Sequence, residues 1–99
     1  MAVFVIGQIK VKDENKWAEY KSKVQSTLEP YGAKILVRGF HIDSFVGTLE
    51  YPDVVIIEFE TDKKAQEWYN SDSYQSIVSI REKGADIILH VYQEFTNII

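Results

Sequence analysis

This 99-residue chain contains no cysteine, and that absence removes several classes of function at once. Without cysteine there is no disulfide framework, no thiol nucleophile and no cysteine-based zinc site. Proline is also scarce, with two residues, while hydrophobic residues make up 45% and charged residues 26% of the chain. That balance argues against disorder, and the length is that of one domain. We therefore expect a single folded domain over residues 1–99.

Long runs of one kind of residue are missing as well. The net charge is −4 and the densest basic feature is the pair Lys63-Lys64, so there is no basic stripe to neutralise nucleic-acid phosphates. The apolar runs are far shorter than a membrane span. Met1 leads straight into strand-like sequence without a basic or apolar leader. We expect a cytoplasmic protein that binds neither nucleic acid nor membrane.

Four segments have the alternating, β-branched pattern of strands. They are residues 3–12, 33–38, 54–60 and 86–94. The helix between the first two begins after Asp13, whose carboxylate can accept hydrogen bonds from the amides of the first turn. Between the third and fourth strands, the periodicity predicts two short helices, because Asn70 to Ser73 interrupts the apolar pattern.

The resulting order is β-α-β-β-α-α-β, an α+β plan of the ferredoxin-like βαββαβ type whose second helix is split in two. Right-handed crossovers give a four-stranded antiparallel sheet of order 4-1-3-2, with the helices on one face. Residues 42–46 alternate too and predict an additional strand-like arm or short hairpin after the second strand.

Both faces of the predicted sheet are apolar, although an antiparallel sheet with one face in water alternates to polar residues. The parity assigned to the open face contains Phe4, Ile6, Gln8, Leu36, Arg38, Val54, Ile56, Glu58, Ile88, His90 and Tyr92. A face this apolar should be buried against another surface, and the simplest such surface is the same sheet of a second copy of the chain. We therefore expect a homodimer that forms a dimeric α/β barrel.

Several ordered elements of the chain carry a resemblance to a known family. They are Leu36-Val37-Arg38-Gly39, Val55-Ile56-Ile57-Glu58-Phe59, Ala65 with Trp68-Tyr69, Ser71, Tyr74-Gln75 and Arg81. In this order and spacing they resemble the domain of unknown function 1330 family of the dimeric α/β-barrel superfamily. The resemblance implies a ferredoxin-like subunit and a homodimer, but no established activity. Phe40 and Asp53 stand where that family usually has glycine and often has arginine, respectively.

The first candidate site joins two neighbouring strands through Arg38 and Glu58, which share the same predicted facing. A guanidinium and a carboxylate inside a mostly apolar sheet cavity would bind a small acid, with Glu58 as a general base. A structural ion pair between the two side chains is the competing interpretation. His90 has the same parity on the fourth strand and is a candidate proton carrier, or else a packed strand residue.

The remaining candidates are ligand-binding residues near the helices and the arm. Trp68 and Tyr74 could wall a pocket, although their spacing also suits core packing. Arg81 shares a helix side with Tyr74 and could hold a carboxylate such as Glu58 or Glu67, or cap the junction. His41 is two residues from Asp43, but two potential ligands without a third do not make a metal site. We expect neither a metal nor another cofactor.

Two functions remain open at this stage. One is a cofactor-independent enzyme, an isomerase or oxygenase acting on a small acidic or aromatic compound in the sheet cavity. The other is a non-catalytic dimeric domain that binds a small molecule or only assembles. An open pocket near the polar residues would favour the first function, and a filled sheet interface would favour the second.

Overall fold

A computed structural model of the protein describes residues 2–95. In chain order its elements are β1 (Val3–Val11), α1 (Glu14–Leu28), a 3-10 turn (Glu29–Tyr31), β2 (Lys34–Phe40), β3 (Asp53–Phe59), α2 (Asp62–Tyr69), α3 (Asp72–Gln75), α4 (Val78–Gly84) and β4 (Ala85–Gln93). The strands form one antiparallel sheet of order β2-β3-β1-β4. Read from the other edge, this is the predicted order 4-1-3-2, so the ferredoxin-like fold is confirmed.

Side-chain caps set the start of three helices. The Asp13 carboxylate accepts from the amides of Asn15 and Lys16 at 3.0 and 3.1 Å. Thr61 caps α2 and Ser71 caps α3 in the same way. Such caps satisfy amides that have no partner inside the helix. The predicted interruption before Tyr74 is therefore confirmed, and a further break after α3 separates it from α4.

The core lies on one face of the sheet, between the strands and the helices. Its largest fully buried side chains are Trp68, Tyr74, Phe59, Leu28 and Val3. Burying each such side chain contributes about 1.5–3 kcal/mol. In the described part of the chain, no helix is long and apolar enough to cross a membrane.

A β-bulge in β2 changes which residues face the core. Ile35 pairs with Ile57, but Val37 pairs with Ile56, so Leu36 is an extra residue without a partner in the ladder. One extra residue moves every later side chain to the other face. Arg38 is consequently paired with the core-packed Val55. The predicted placement of Arg38 on the open face is wrong.

The predicted strand-like arm over residues 42–46 is wrong too. Residues 41–52 leave the sheet without strand pairing, apart from the His41 amide, which donates to the Pro52 carbonyl at 2.7 Å. Alternation stabilises a strand only when a neighbouring strand accepts its hydrogen bonds, and the arm has none within the described subunit. Its apolar side chains are instead exposed, with Ile42 at 87% and Phe45 at 100%.

Candidate functional site

A cavity of about 280 Å³ lies between α1 and the helix-covered face of the sheet. Most of its wall is hydrocarbon. The lining residues are Ile9, Trp17, Tyr20, Lys21, Val24, Leu28, Ile35, Arg38, Gly39, Phe40, Asp53, Val54, Val55, Ile57, Trp68, Ile87 and Leu89. Ligand pockets typically combine such an apolar wall with a few polar groups. This cavity is therefore the candidate binding site.

Aromatic rings form part of the cavity wall. Trp17 and Tyr20 lie one turn apart on α1 and stack with their ring centroids 5.0 Å apart. Trp68 contributes a third ring, and its indole N–H donates to the Thr27 hydroxyl at 3.0 Å. Because that hydrogen bond uses the only polar atom of the indole, Trp68 presents an apolar surface to the cavity.

Three ionisable side chains complete the lining. They are Lys21 on α1, Arg38 on the edge strand β2 and Asp53 at the start of β3. Lys21 and Arg38 are exposed and Asp53 is half-buried. Within residues 2–95 none of the three forms an ion pair. Two cations and one carboxylate give the lining a net positive charge, which favours an anionic group on a ligand.

A buried polar cluster adjoins the cavity where Tyr20 contacts α3. The hydroxyl oxygens of Tyr20 and Tyr74 are 2.9 Å apart, and Arg81 Nη1 donates to the Tyr74 hydroxyl at 3.0 Å. Arg81 is only 6% exposed, and its Nη2 donates to Glu82 Oε1 at 2.8 Å. Its partner is therefore Glu82, and the predicted pairing with Glu58 or Glu67 is wrong.

Burial sets the charge states within this cluster. Burial, and then the neighbouring Tyr74 hydroxyl, raise the pKa of Tyr20 above its ordinary value, so Tyr20 is a neutral phenol. Burial alone would lower the pKa of Arg81, but its hydrogen bonds to Glu82 and Tyr74 raise it, and the net shift is upward. Arg81 is thus a buried cation that contacts the Tyr74 phenol and lies near the phenols of Tyr20 and Tyr69.

The sheet separates the other predicted site residues from this cavity. Glu58 is half-buried and pairs with Phe4 and Lys34, while His90 is exposed and pairs with Ile6, all on the open face. The prediction that Arg38, Glu58 and His90 form one site within a subunit is therefore wrong. The physical reason is the β2 bulge, which places the Arg38 side chain on the helix-covered face of the sheet.

The two remaining candidates have ordinary surroundings. His41 is exposed on the arm, and its Nε2 lies 2.7 Å from the Ser44 hydroxyl. Across residues 2–95 no group of three or more potential metal ligands is found. Tyr74 is fully buried and contacts Trp68 with ring centroids 4.3 Å apart, so it packs behind the cavity wall.

Sequence reasoning did not place five of the aromatic and charged lining residues in a site, namely Trp17, Tyr20, Lys21, Phe40 and Asp53. Trp17 and Tyr20 have the spacing of core residues, and that pattern does not distinguish a filled core from a cavity. Lys21 follows Tyr20 directly, so it lies at the edge of the same helix face. A cation adjacent to an aromatic pair on one helix is the signal that could have identified it.

Comparisons with known proteins agree with this fold. The family model described as domain of unknown function (DUF1330) matches residues 2–95. A sequence search found no similar protein among those with curated functions. Among solved structures, a protein of unknown function from Rhodopseudomonas palustris superposes with a TM-score of 0.82 at 15% identity, covering 97% of this chain and 84% of that one.

Two further solved structures share the fold at lower identity. One is SnoaB, a cofactor-independent oxygenase from Streptomyces nogalater, with a TM-score of 0.70, 4% identity and coverage of 98% of this chain and 96% of that chain. The other is a dimeric ferredoxin-like protein of unknown function from Jannaschia, with a TM-score of 0.70, 10% identity and coverage of 95% and 100%, respectively. At these identities the likeness concerns the fold alone.

Proposed function

We infer, from the premise that this chain belongs to the DUF1330 family and from the cavity under α1, that the protein binds a small carboxylic acid with an aromatic body. The observation that carries this proposal is an apolar cavity whose lining contains two cations, Lys21 and Arg38, that form no ion pair within residues 2–95. A ligand's ring would contact Trp17, Tyr20 and Trp68, while its carboxylate would meet Arg38.

The volume of the cavity limits the ligand to a small compound. A cavity of about 150 Å³ in another protein accommodates benzene, so 280 Å³ has room for one ring with two substituents. Arginine suits the carboxylate because its planar guanidinium can donate two parallel hydrogen bonds. Arg38 stands on an edge strand without an ion-pair partner in the described chain, so it is free to make them.

This proposal predicts that 4-isopropylbenzoate binds the wild type and raises its melting temperature, because binding to the folded state stabilises it. Arg38→Ala should weaken binding about tenfold to a hundredfold, since a charge-assisted hydrogen bond contributes about 1.5–3 kcal/mol. Titration calorimetry of both proteins gives the dissociation constants, and a thermal-shift assay gives the stabilisation.

Two controls accompany the Arg38 experiment. Lys63→Ala removes an exposed cation on α2 that does not line the cavity, and it should bind the carboxylate like the wild type. The neutral amide of the same acid should lose less affinity than the carboxylate in Arg38→Ala, because its oxygen still accepts a hydrogen bond from Arg38 but has no charge. Absence of carboxylate binding to the wild type, or equal affinity in wild type and Arg38→Ala, would contradict the proposal.

Catalysis by a cofactor-independent mechanism is the second candidate. It is supported by the SnoaB fold and by Asp53, the one carboxylate in the described cavity lining. In this proposal Asp53 removes a proton from an acidic phenol or enol. The resulting anion either reacts with O2, one oxygen atom of which enters the ring to give a quinone while the other leaves as water, or is reprotonated at another position, which is an isomerisation.

We expect Asp53→Asn to lower such a rate on the order of a hundredfold, because it removes a general base while preserving the shape of the side chain. Oxygen consumption with 2,5-dihydroxybenzoate tests the oxygenase, and proton exchange in D2O tests the isomerase. Glu60→Gln is the matched control, because Glu60 is exposed and lies outside this cavity. A wild type without either activity would favour a binding domain without catalysis, and an Asp53→Asn variant with the wild-type rate would show that Asp53 is not the base.

The open sheet face supports a homodimer as part of the same proposal. Phe4, Ile6, Val54, Ile56 and Ile88 are half-buried on it, although no element of the described subunit covers them. A patch of this kind marks an interaction surface. The dimeric protein from Jannaschia shows that this fold can assemble in pairs. Glu58 and His90 would then lie between the two subunits and not in the cavity.

A further inference from the structure

The loop between β2 and β3, residues 41–52, exposes large apolar side chains. Ile42, Phe45 and Val46 are 87%, 100% and 95% exposed. A fully exposed phenylalanine leaves on the order of 150–250 Å² of its surface in water. Single exposed hydrophobic residues are common on proteins, but three within residues 42–46 form a patch, and a patch of this kind marks an interaction surface.

Hydrogen bonds within the loop give it its shape. At its base the His41 amide donates to the Pro52 carbonyl at 2.7 Å, and His41 Nε2 lies 2.7 Å from the Ser44 hydroxyl. The Ser44 amide donates to Asp43 Oδ1 at 2.8 Å. Gly47 has a φ of 85°, a conformation open to glycine, and it turns the chain back towards β3. The apolar side chains therefore remain available for a surface outside their own subunit.

The charge and position of the loop disfavour several occupants of the patch. The loop contains Asp43 and Glu50 but no lysine or arginine. Nucleic acids and anionic membrane surfaces attract cations, so neither matches this loop. The cavity under α1 is not its binding surface either, because no residue of 41–52 lines it. An apolar protein surface is the occupant that fits.

The patch is continuous with the open sheet face. Phe40 pairs with Asp53 at the base of the loop, and the next pair is Gly39 with Val54, which belongs to the open face. Two sheets packed face to face are about 10 Å apart. Each leg of the loop has about six residues and spans up to about 20 Å. The loop is therefore long enough to reach a second sheet that covers the first.

We propose that the 41–52 loop crosses the dimer interface and packs Ile42, Phe45 and Val46 against the second copy of the chain, beside its open sheet face. The inference rests on the homodimer of the proposed function and adds a second contact region to it. Two-fold symmetry makes each contact twice. Phe45 alone supplies about a quarter of the roughly 800 Å² that each partner buries in a standard interface.

Phe45→Ser should raise the dissociation constant of the dimer about a hundredfold or more. Burying one phenylalanine is worth about tenfold in affinity or more, and each dimer contains two copies of the residue. Sedimentation velocity over a concentration series measures this constant. Because Phe45 is fully exposed in the described subunit, the substitution leaves the subunit's own packing unchanged, and circular dichroism checks that it is folded.

Two variants of the same loop are the controls. Phe45→Leu keeps a large apolar side chain and should retain a dissociation constant within about tenfold of the wild type. Thr48→Ala changes an exposed polar residue of the loop and should dimerise like the wild type.

Photochemical cross-linking gives a readout that does not depend on affinity. With p-benzoylphenylalanine in place of Phe45, irradiation should produce a covalent dimer of twice the 11.5 kDa of one chain. Peptide mapping should place the cross-link on the partner's open sheet face or its border. The same photoreactive group in place of Ser79, an exposed residue of α4, should give no covalent dimer.

The outcomes separate this inference from the proposed homodimer. If the wild type is a dimer and Phe45→Ser has the same dissociation constant, the loop does not contribute to the interface and the inference is overturned. Cross-links from position 45 that stay within one subunit overturn it as well, because the loop then covers its own subunit. If the wild type is a monomer, the proposed homodimer fails and this inference fails with it.

Discussion

Trp68→Ala should lower the free energy of unfolding by about 3–5 kcal/mol, the usual cost of replacing a buried tryptophan or phenylalanine by alanine. Trp68 is 1% exposed and packs against Phe59 and Tyr74, with ring centroids 5.5 and 4.3 Å away. The substitution leaves an empty space between α2 and the sheet. It also removes the donor to the buried Thr27 hydroxyl.

Urea unfolding at a fixed protomer concentration measures this effect, because the stability of a dimer depends on concentration. Tyr69→Ala is the matched control, since Tyr69 is the adjacent aromatic residue on the same helix but is 37% exposed. We expect it to cost less than half as much. An equal loss in both variants would show that Trp68 is not the centre of this core.

The fold was predictable because several independent signals agree. The two-residue alternation of the strands and the three- to four-residue spacing on α1 fix the element types. Capping residues such as Asp13 and Ser71 fix the helix starts. Crossover handedness then leaves one strand order. Each signal is local, so it can be extracted from a single sequence.

The facing of Arg38 was not predictable from the same signals. A bulge depends on how two strands align, and neither Leu36 nor its neighbours are of a residue type that requires a bulge. After the bulge, side chains still alternate between the two faces of the sheet, but each one lies on the face opposite to its predicted face. The predicted pairing of Arg38 with Glu58 failed for this reason, whereas Glu58 and His90 face as predicted.

The cavity under α1 could not be predicted from the sequence either, but for a different reason. Trp17, Tyr20 and Trp68 have the spacing of core residues and are buried as that spacing indicates. Whether their side chains fill the space between α1 and the sheet depends on volumes and rotamers in three dimensions. Periodicity contains no information on either quantity.

The two faces of the sheet therefore have separate tasks in the proposed function. The helix-covered face contains the cavity with Arg38 and Tyr20, and the open face contains the apolar patch around Ile6 and Ile56. Because the sheet lies between them, a substitution on one face should leave the other intact. This separation allows assembly and ligand binding to be tested independently.

Ile56→Lys should convert the proposed dimer to monomers. Ile56 is paired with Ile6 on one side and Val37 on the other, so it lies in the middle of the open face. An unpaired charge buried in an interface costs about 3–5 kcal/mol, which raises the dissociation constant by a factor on the order of a hundred to several thousand.

Light scattering after size exclusion should then give about the 11.5 kDa of one chain for the variant and twice that mass for the wild type. Ser79→Lys adds the same charge at an exposed position of α4 and should stay dimeric. Ile56→Lys should still bind 4-isopropylbenzoate, because its side chain lies across the sheet from the cavity. A wild type with the mass of one chain at micromolar concentration would show that the open face does not pair, and a dimeric Ile56→Lys variant would show that the subunits pair elsewhere.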